Sequence, residues 1–228
     1  MEKSYSTLEV LFEDNHLIAV NKPAGLLTQA DRAESDCLLE RVRGYLKERY
    51  QKPGQVFVGL LHRLDRPVSG VVLFAKTSKG ASRLSEQFRE HTISKRYLAL
   101  VEGHPAQTEA QLEHYLGSDA QNGVEIQEGP APHLKKGVLR YRRIAQGPRH
   151  SLLEVALGTG RKHQIRAQLS FIGHPIAGDS RYGAKTRLAE GQIGLKSRSL
   201  EFQHPVRREE RVRVELPGEP SEGWAAWL

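Results

Sequence analysis

The residues best suited to chemistry lie in one short segment, His62–Gly70, whose sequence is HRLDRPVSG. Asp65 stands between Arg63 and Arg66, and nearby positive charge keeps a carboxylate ionised. Such an anion could serve as a nucleophile or as a general base. The ordinary alternative is a salt bridge between Asp65 and an arginine of the same turn, because structural ion pairs also collect in loops.

Two apolar runs flank this segment and should hold it in place. Residues 56–61 precede it and residues 71–75 follow it, and both runs are rich in β-branched and aromatic residues. They are typical of buried strands. Pro67 and Gly70 indicate a turn between them. The sequence therefore predicts that Asp65 sits on a connection anchored in a sheet at both ends.

Two further residues have side chains that could act in a site. Tyr97 lies in a predicted strand, residues 95–101, as either a core aromatic or a ring that stacks on an unstacked base. Arg166 lies in a predicted helix, residues 163–172, beside Ile165 on its buried face. An arginine at the border of a buried face usually needs a carboxylate partner.

The Gly-rich entry to that helix, residues 158–162, contains Arg161 and Lys162. Free amides and the helix dipole make such an entry a possible phosphate site. The spacing of a Walker loop is absent, and an ordinary strand-to-helix turn remains open. Lys22 is a further candidate phosphate contact, although a solvated lysine would give the same pattern.

Four motifs, in order along the chain, resemble those of the RluA family of RNA pseudouridine synthases. They are NKPAGLL at 21–27, HRLD at 62–65 with SG at 69–70 and AK at 75–76, KRY at 95–97 with EG at 102–103, and GRKHQIR at 160–166 with GHPI at 173–176 and GD at 178–179. The resemblance runs from about Leu8 to Pro205. One position departs from it, because the family usually has threonine where this chain has Val68. The lost hydroxyl affects a turn hydrogen bond and leaves the carboxylate in place.

The resemblance implies an α+β fold, with a mixed, mostly antiparallel sheet flanked by helices and a central cleft. It also implies an isomerase that converts a specific uridine of tRNA or rRNA to pseudouridine, with Asp65 as the essential carboxylate. Whether Asp65 attacks the nucleotide or removes a sugar proton stays open. The target base must leave its stack to be reached.

The remaining site residues take their roles from the same resemblance. Arg166 would pair with Asp65 and hold it ionised, and Tyr97 would stack on the target base. Arg63 would fill the place that the base vacates. Ile165 and Leu200 would help to exclude water, and Lys22, Arg161 and Lys162 would contact phosphates.

Composition limits the class of protein. The 228 residues include 34 Lys and Arg against 27 Asp and Glu, a net charge of +7. This excess favours a polyanionic partner such as RNA, although mild basicity can also serve solubility. The sequence contains no run of about 18 apolar residues and therefore predicts no membrane-spanning helix. The single cysteine, Cys37, excludes an internal disulfide and favours the cytoplasm.

The remaining patterns predict one domain over residues 1–228, without a separate S4-like RNA-binding domain. Helices are predicted at residues 37–50 and from Thr77 or Ser78 to about His91. Residues 104–137 predict an exposed, hairpin-rich excursion with strands at 110–116 and 124–126. Closing strands are predicted at 199–203 and 211–216, with Trp224 and Trp227 docked as hydrophobic anchors.

Other classes of site find little support in the sequence. The ten histidines are scattered without metal-ligand spacing, and no nucleophile elbow or dinucleotide fingerprint occurs. We therefore expect no metal, no cofactor and no obligatory protein partner, and a monomer. Two alternatives to the synthase remain: a noncatalytic RNA-binding or ribosome-assembly factor, and a hydrolase that acts on RNA.

Overall fold

The computed structural model describes residues 8–31, 34–118, 123–189 and 191–228. These residues group into two compact units. The first unit contains the described residues up to Ile93 together with Ser197–Leu216, and the second contains Ser94–Lys196 and Pro217–Leu228. The single domain over residues 1–228 stays a prediction. Within the described ranges, no helix is both long and apolar enough to cross a membrane.

The first unit is built on strands, two of which are apolar on both faces. The strands are β1 (Val10–Glu13), β2 (Leu17–Lys22), β3 (Gly59–Leu60), β4 (Ser69–Ala75), β10 (Leu195–Gln203) and β11 (Arg211–Glu215). β1, β2, β4 and β10 lie side by side in that order, β3 pairs with β4, and β11 pairs with β10. Nearly every residue of β2 and β4 is buried, because both strands are almost continuous apolar runs. The turn that carries Asp65 therefore leads directly into the buried strand β4.

Two helices of the first unit match the predicted ranges. α1 spans Leu38–Arg49 and α2 spans Ser78–Arg89. Thr77 caps α2, because its Oγ1 accepts a hydrogen bond from Gly80 N at 3.1 Å. Leu84 of α2 enters the same apolar cluster as residues of β2, β4, β10 and β11. α2 thus packs on the sheet that supports the turn.

The described part of the second unit is mainly a sheet of long antiparallel strands. They are β5 (Ser94–Glu102), β6 (Glu109–Ser118), β7 (Val124–Gln127), β8 (Lys135–Gln146) and β9 (His150–Leu157), in the spatial order β5-β9-β8-β6-β7. The strands predicted at 110–116 and 124–126 are confirmed and are longer than expected. Residues 119–122 of the predicted excursion lie outside the described residues. The alternation of apolar residues in β6 is weak, and its pairing with β8 accounts for the greater length of the strand.

The third helix, α3, spans Gln164–Phe171 and ends before Gly173, whose φ of +82° lies in the left-handed region. Trp224 packs into an apolar cluster with Leu98 and Leu152, which confirms its expected role as an anchor. The predicted α+β class, with a mixed, mostly antiparallel sheet flanked by helices, is confirmed. The central cleft stays a prediction.

Candidate active site

The turn that carries Asp65 is closed by its own backbone and anchored by a buried hydroxyl. Val68 N donates to Asp65 O at 3.0 Å. Thr28 Oγ1 donates to Leu64 O at 2.8 Å and accepts from Leu64 N at 3.1 Å. Asp65 itself is half-buried, whereas Leu64 and Val68 are buried. The carboxylate is therefore presented from a backbone that is fixed on both sides.

The two ends of the segment are fixed as well. His62 Nε2 accepts a hydrogen bond from Leu73 N at 3.0 Å, and its ring stacks on Phe88 at 5.0 Å. At the other end, Gly70 has a φ of +116°, and a Cβ there would lie 2.2 Å from Ser197 O. Only glycine fits this conformation and this close approach. The anchoring predicted after Asp65 is confirmed by β4. The buried strand predicted at residues 56–61 is wrong in length and burial, because only Gly59–Leu60 form a strand, both are half-buried, and Phe57 is exposed.

The motif at residues 21–27 is bonded directly to the Asp65 turn. Gly25 N donates to Arg66 O at 2.8 Å, and Arg66 Nε donates back to Gly25 O at 2.9 Å. The guanidinium of Arg66 also pairs with Glu34 at 3.1 Å. Arg66 thus ties the two motifs together. This geometry does not favour the alternative in which Arg66 serves Asp65 as a turn salt bridge.

Lys22 lies beneath this junction and is fully buried, with 0% of its surface exposed. Its Nζ donates to three backbone carbonyls, those of Leu26 at 2.7 Å, Pro23 at 3.0 Å and Arg66 at 3.1 Å. Burial lowers the pKa of Lys22 to about 8, the negative charge of Asp65 opposes this shift, and the charge of Arg66 adds to it. The charges of Lys22 and Asp65 therefore attract each other.

This position corrects the expected role of Lys22. An ammonium that contacts an RNA phosphate must reach solvent, whereas Lys22 Nζ is enclosed and bonded to three carbonyl oxygens. We therefore no longer assign Lys22 to phosphate binding. Its chemical contribution is a positive charge and a fixed backbone below Asp65, which together suit a carboxylate that must stay ionised.

Five predicted site residues lie in the second unit, and three of them are buried. Tyr97 is a buried residue of β5, opposite Val155 of β9. Ile165 and Arg166 are buried residues of the first turn of α3. Asp65 and Arg166 belong to different units, so their pairing stays a prediction.

Arg166 has a carboxylate partner inside its own unit. Its Nε donates to Asp179 Oδ2 at 2.7 Å and its Nη2 donates to Asp179 Oδ1 at 2.9 Å. Both side chains are buried, at 7% and 2% exposure. The guanidinium also lies over the ring of Tyr182, 5.0 Å from its centroid. A bidentate pair and an aromatic face together fix the plane of the guanidinium.

Tyr182, whose ring faces the Arg166 guanidinium, is itself held in place by hydrogen bonds. Tyr182 hydroxyl bonds His163 Nδ1 at 2.8 Å, and Ser170 Oγ donates to Tyr182 O at 2.7 Å. The sequence predicts that Arg166 needs a carboxylate, but the spacing alone does not identify Asp179 as an additional one. The available signal was the GD pair at 178–179 inside the last motif.

The remaining predicted residues fall into two groups. Arg63 and Lys162 are exposed, and Arg161 is half-buried with its Nε donating to Lys136 O at 3.0 Å. These positions are compatible with contacts to RNA. Leu200 is only 1% exposed and belongs to the apolar core of the first unit. Its expected role in excluding water stays a prediction.

Comparisons with known proteins agree on one family. The family described as RNA pseudouridylate synthase matches residues 16–171. The tRNA pseudouridine synthase C of Pectobacterium carotovorum is 33% identical over 220 residues, which cover 87% of this chain and 56% of that protein. The ribosomal large subunit pseudouridine synthase D of Zymomonas mobilis is 34% identical over 212 residues, which cover 87% of this chain and 66% of that protein. The chain thus spans between half and two thirds of the length of these relatives.

A solved structure has the same fold. The human RNA pseudouridylate synthase domain containing 4 superposes with a TM-score of 0.76 and 22% sequence identity. The superposition covers 92% of this chain and 88% of the human chain. This likeness concerns the fold alone, and it agrees with the strands and helices described above.

Proposed function

This chain belongs to the RNA pseudouridylate synthase family, and from that premise we propose that it isomerises a specific uridine of tRNA or rRNA to pseudouridine. The observation that supports this most strongly is the half-buried Asp65 carboxylate on a rigid turn above the buried Lys22 ammonium. Two similar proteins carry names that refer to tRNA and to the ribosomal large subunit. The RNA that this chain modifies is part of the proposal.

The proposed reaction conserves every atom and electron of the nucleotide. The C1′–N1 bond breaks, the uracil turns, and a C1′–C5 bond forms. N1 gains a proton and C5 loses one, so the product is an isomer that needs no oxidant or energy input. Asp65 acts either by attacking the nucleotide or by removing a sugar proton, and both roles need an ionised carboxylate.

The residues of the second unit receive supporting roles in this proposal. Arg166, held by Asp179, pairs with Asp65 and aims it. Tyr97 stacks on the extruded base, and Ile165 helps to exclude water from it. The argument for Arg166 is that its Nε and Nη2 are already fixed by Asp179, so that a substrate or carboxylate meets a preformed guanidinium.

Contacts to the rest of the RNA use exposed basic residues. Arg63 takes the place of the extruded base, and Arg161 and Lys162 contact phosphates. The net charge of +7 supports a polyanionic partner. We further propose that the protein is a cytoplasmic monomer and requires no protein partner. The single cysteine supports the cytoplasmic location and has no bearing on the other two points.

The deciding experiment substitutes Asp65 by Asn, which keeps the size and removes the charge. Pseudouridine is mapped by chemical sequencing and by mass spectrometry in tRNA and rRNA from a strain that lacks the gene and carries wild type, Asp65→Asn or Asp36→Asn. Asp36 is a matched control because it is a carboxylate of the same unit that pairs with Arg41. We expect Asp65→Asn to lose at least roughly 10³-fold in rate and Asp36→Asn to retain the wild-type rate.

The outcomes separate the alternatives. Pseudouridine at a defined position with wild type and Asp36→Asn, and none with Asp65→Asn, supports the synthase. RNA binding without pseudouridine in any cellular RNA would instead identify a noncatalytic RNA-binding or ribosome-assembly factor. A shortened RNA would identify a hydrolase.

A further inference from the structure

Lys95, the second residue of β5, is a buried lysine for which nothing above accounts. Only 8% of its surface is exposed, while its neighbours Ser94 and Arg96 are exposed. Among the residues that the structure describes, no hydrogen bond or ion pair engages Lys95 Nζ. Burial lowers the pKa of Lys95. The stem of Lys95 is therefore buried while its tip is not fully enclosed, because the enclosed unpaired side-chain atoms of the described residues are His16 Nδ1 and Ser197 Oγ. An anion would replace solvent at this tip.

The ammonium lies beside the most open point of the Gly-rich segment, residues 158–162. A Cβ on Gly160 would lie 3.7 Å from Lys95 Nζ and would meet no other heavy atom of the described residues beyond its chain neighbours within 4 Å. Gly160 is exposed. The side of Gly160 that faces the ammonium is therefore open to at least the size of one carbon atom.

The conformation of residues 158–162 is held by hydrogen bonds of two side chains. Thr159 Oγ1 accepts from Val138 N at 2.9 Å and donates to Gln164 Oε1 at 2.8 Å. Gln164 Oε1 also accepts from Arg161 N at 3.0 Å. The side chain of Gln164 thus closes the segment onto the start of α3. The position of Gly160 beside Lys95 Nζ is fixed by these bonds.

The charges around this point favour an anion. α3 begins four residues after Gly160 and has no acidic residue in its first turn. Gln164 N already donates to Arg161 O, so the N-terminus of α3 contributes chiefly the positive end of the helix dipole. Arg161 and Lys162 lie between the two. A phosphate group would supply both the charge and the acceptors that Lys95 lacks.

We propose that Lys95 Nζ, the open side of Gly160 and the N-terminus of α3 bind one phosphodiester group of an RNA. That the anion comes from RNA rests on the proposed function, whereas the site for a phosphate does not. Lys95 and Tyr97 share one face of β5, about 7 Å apart along the strand. The bound phosphate therefore belongs to the nucleotide at Tyr97 or to its immediate neighbour.

The test compares wild type with Lys95→Met and Arg96→Met. Methionine keeps the length of the stem and removes the charge. Arg96 is the matched control because it lies next in the strand, faces the other side and pairs with Glu154. The probe is a synthetic RNA hairpin with the uridine mapped above or, if none is mapped, an unmodified tRNA transcript. Dissociation constants are measured from 50 to 200 mM salt.

We expect Lys95→Met to bind on the order of tenfold more weakly at low salt. The slope of log K against log salt should fall by roughly 0.7 to 0.9, the value for one phosphate. Its thermal midpoint should equal or exceed that of wild type, because an unpaired buried charge is removed. Arg96→Met should retain the wild-type slope. Wild-type affinity and slope in Lys95→Met would overturn the site, and so would a thermal midpoint several degrees lower.

Neutral methylphosphonates provide a second test that does not depend on the stability of the variant. Each phosphate of the hairpin is replaced in turn. One replacement should weaken binding to wild type and to Arg96→Met but not to Lys95→Met, which identifies the bound phosphate. Equal losses in all three proteins at every position would contradict the proposal.

The site and the proposed function can fail separately. If wild type forms pseudouridine while Lys95→Met binds like wild type, only the phosphate site is wrong. If no protein forms pseudouridine while Lys95→Met loses one phosphate from the salt slope, only the synthase is wrong.

Discussion

Lys22 in the first unit and Lys95 in the second are both buried lysines, but their ammonium groups have opposite surroundings. Lys22 Nζ donates to three carbonyl oxygens. Lys95 Nζ has no acceptor among the described residues and lies beside the open side of Gly160. The charge of Lys22 is therefore stabilised inside the fold, whereas the tip of Lys95 is left to solvent or to a ligand.

Arg166 shows that the second unit can also satisfy a buried cation from within. Its guanidinium is held by Asp179 and lies over Tyr182. The lack of an acceptor at Lys95 is therefore a property of that position and not of the unit. A buried cation whose donors are occupied supports the fold, whereas one with unused donors next to open space is suited to binding.

The largest effect on stability should come from removing the charge of Asp179, which accepts two hydrogen bonds from Arg166. Asp179→Asn leaves a buried guanidinium opposite a neutral amide, and such a loss typically destabilises by about 3–5 kcal/mol. Urea unfolding measures the change. The matched control is Glu154→Gln, since Glu154 pairs with Arg96 near the surface of the same unit. That exposed pair is worth at most about 1 kcal/mol. Equal losses would show that burial does not separate the two pairs.

Lys22→Met should have the next largest effect. The carbonyl oxygens of Pro23 and Leu26 lose their donor, at about 1–3 kcal/mol for each unsatisfied group, whereas Arg66 O keeps the hydrogen bond from Gly25 N. Relief from the buried charge offsets part of this loss. We expect a net destabilisation of about 2–3 kcal/mol by urea unfolding. The same change at Lys95 removes no hydrogen bond and should not lower the stability. A similar loss for both variants would break the distinction between the two lysines.

The position of Asp65 could be predicted from the sequence, whereas the role of Lys22 could not. The Asp65 turn is bounded by apolar strands and by Pro67 and Gly70, which are local signals. The acceptors of Lys22 come from residues 23, 26 and 66, so its surroundings depend on how two distant motifs meet. The sequence around Lys22, a basic residue before a proline, does not indicate that the two motifs are in contact.

The partners in the second unit show the same limit. The helical pattern predicts that Arg166 is at least partly buried and needs a carboxylate, but the pattern does not say which acids are near. Asp179 enters through a turn after α3 that carries no periodic signal. Lys95 lies in a strand predicted correctly, yet its lack of an acceptor is visible only when its three-dimensional neighbours are known.

A smaller effect should follow from loosening the turn above Lys22. Thr28→Val keeps the shape and removes the hydroxyl that bonds both Leu64 N and Leu64 O. We expect a loss of about 1–2 kcal/mol in unfolding free energy and a lower single-turnover rate, because Leu64 precedes Asp65. Thr92→Val is the control, since Thr92 is exposed and bonds only a helix carbonyl. An unchanged rate in Thr28→Val would show that the turn does not need this anchor.

The smallest effect concerns the pH dependence of RNA binding at Lys95. In the free protein, burial lowers the pKa of Lys95, and a bound phosphate should raise that pKa again. Between the two pKa values the complex holds more protons than the free protein. Binding therefore takes up protons, and affinity falls as pH rises through this window, by at most about tenfold per unit. Lys95→Met should lack this component.

Calorimetry in two buffers of different ionisation enthalpy measures the uptake directly. Lys22, whose pKa is about 8, titrates in both proteins and cancels in their difference. We expect an uptake of a fraction of one proton in wild type and in Arg96→Met that is missing in Lys95→Met. Equal uptake in all three proteins would mean that the Lys95 ammonium does not meet the RNA. The contrast between the two lysines would then be one of packing and not of function.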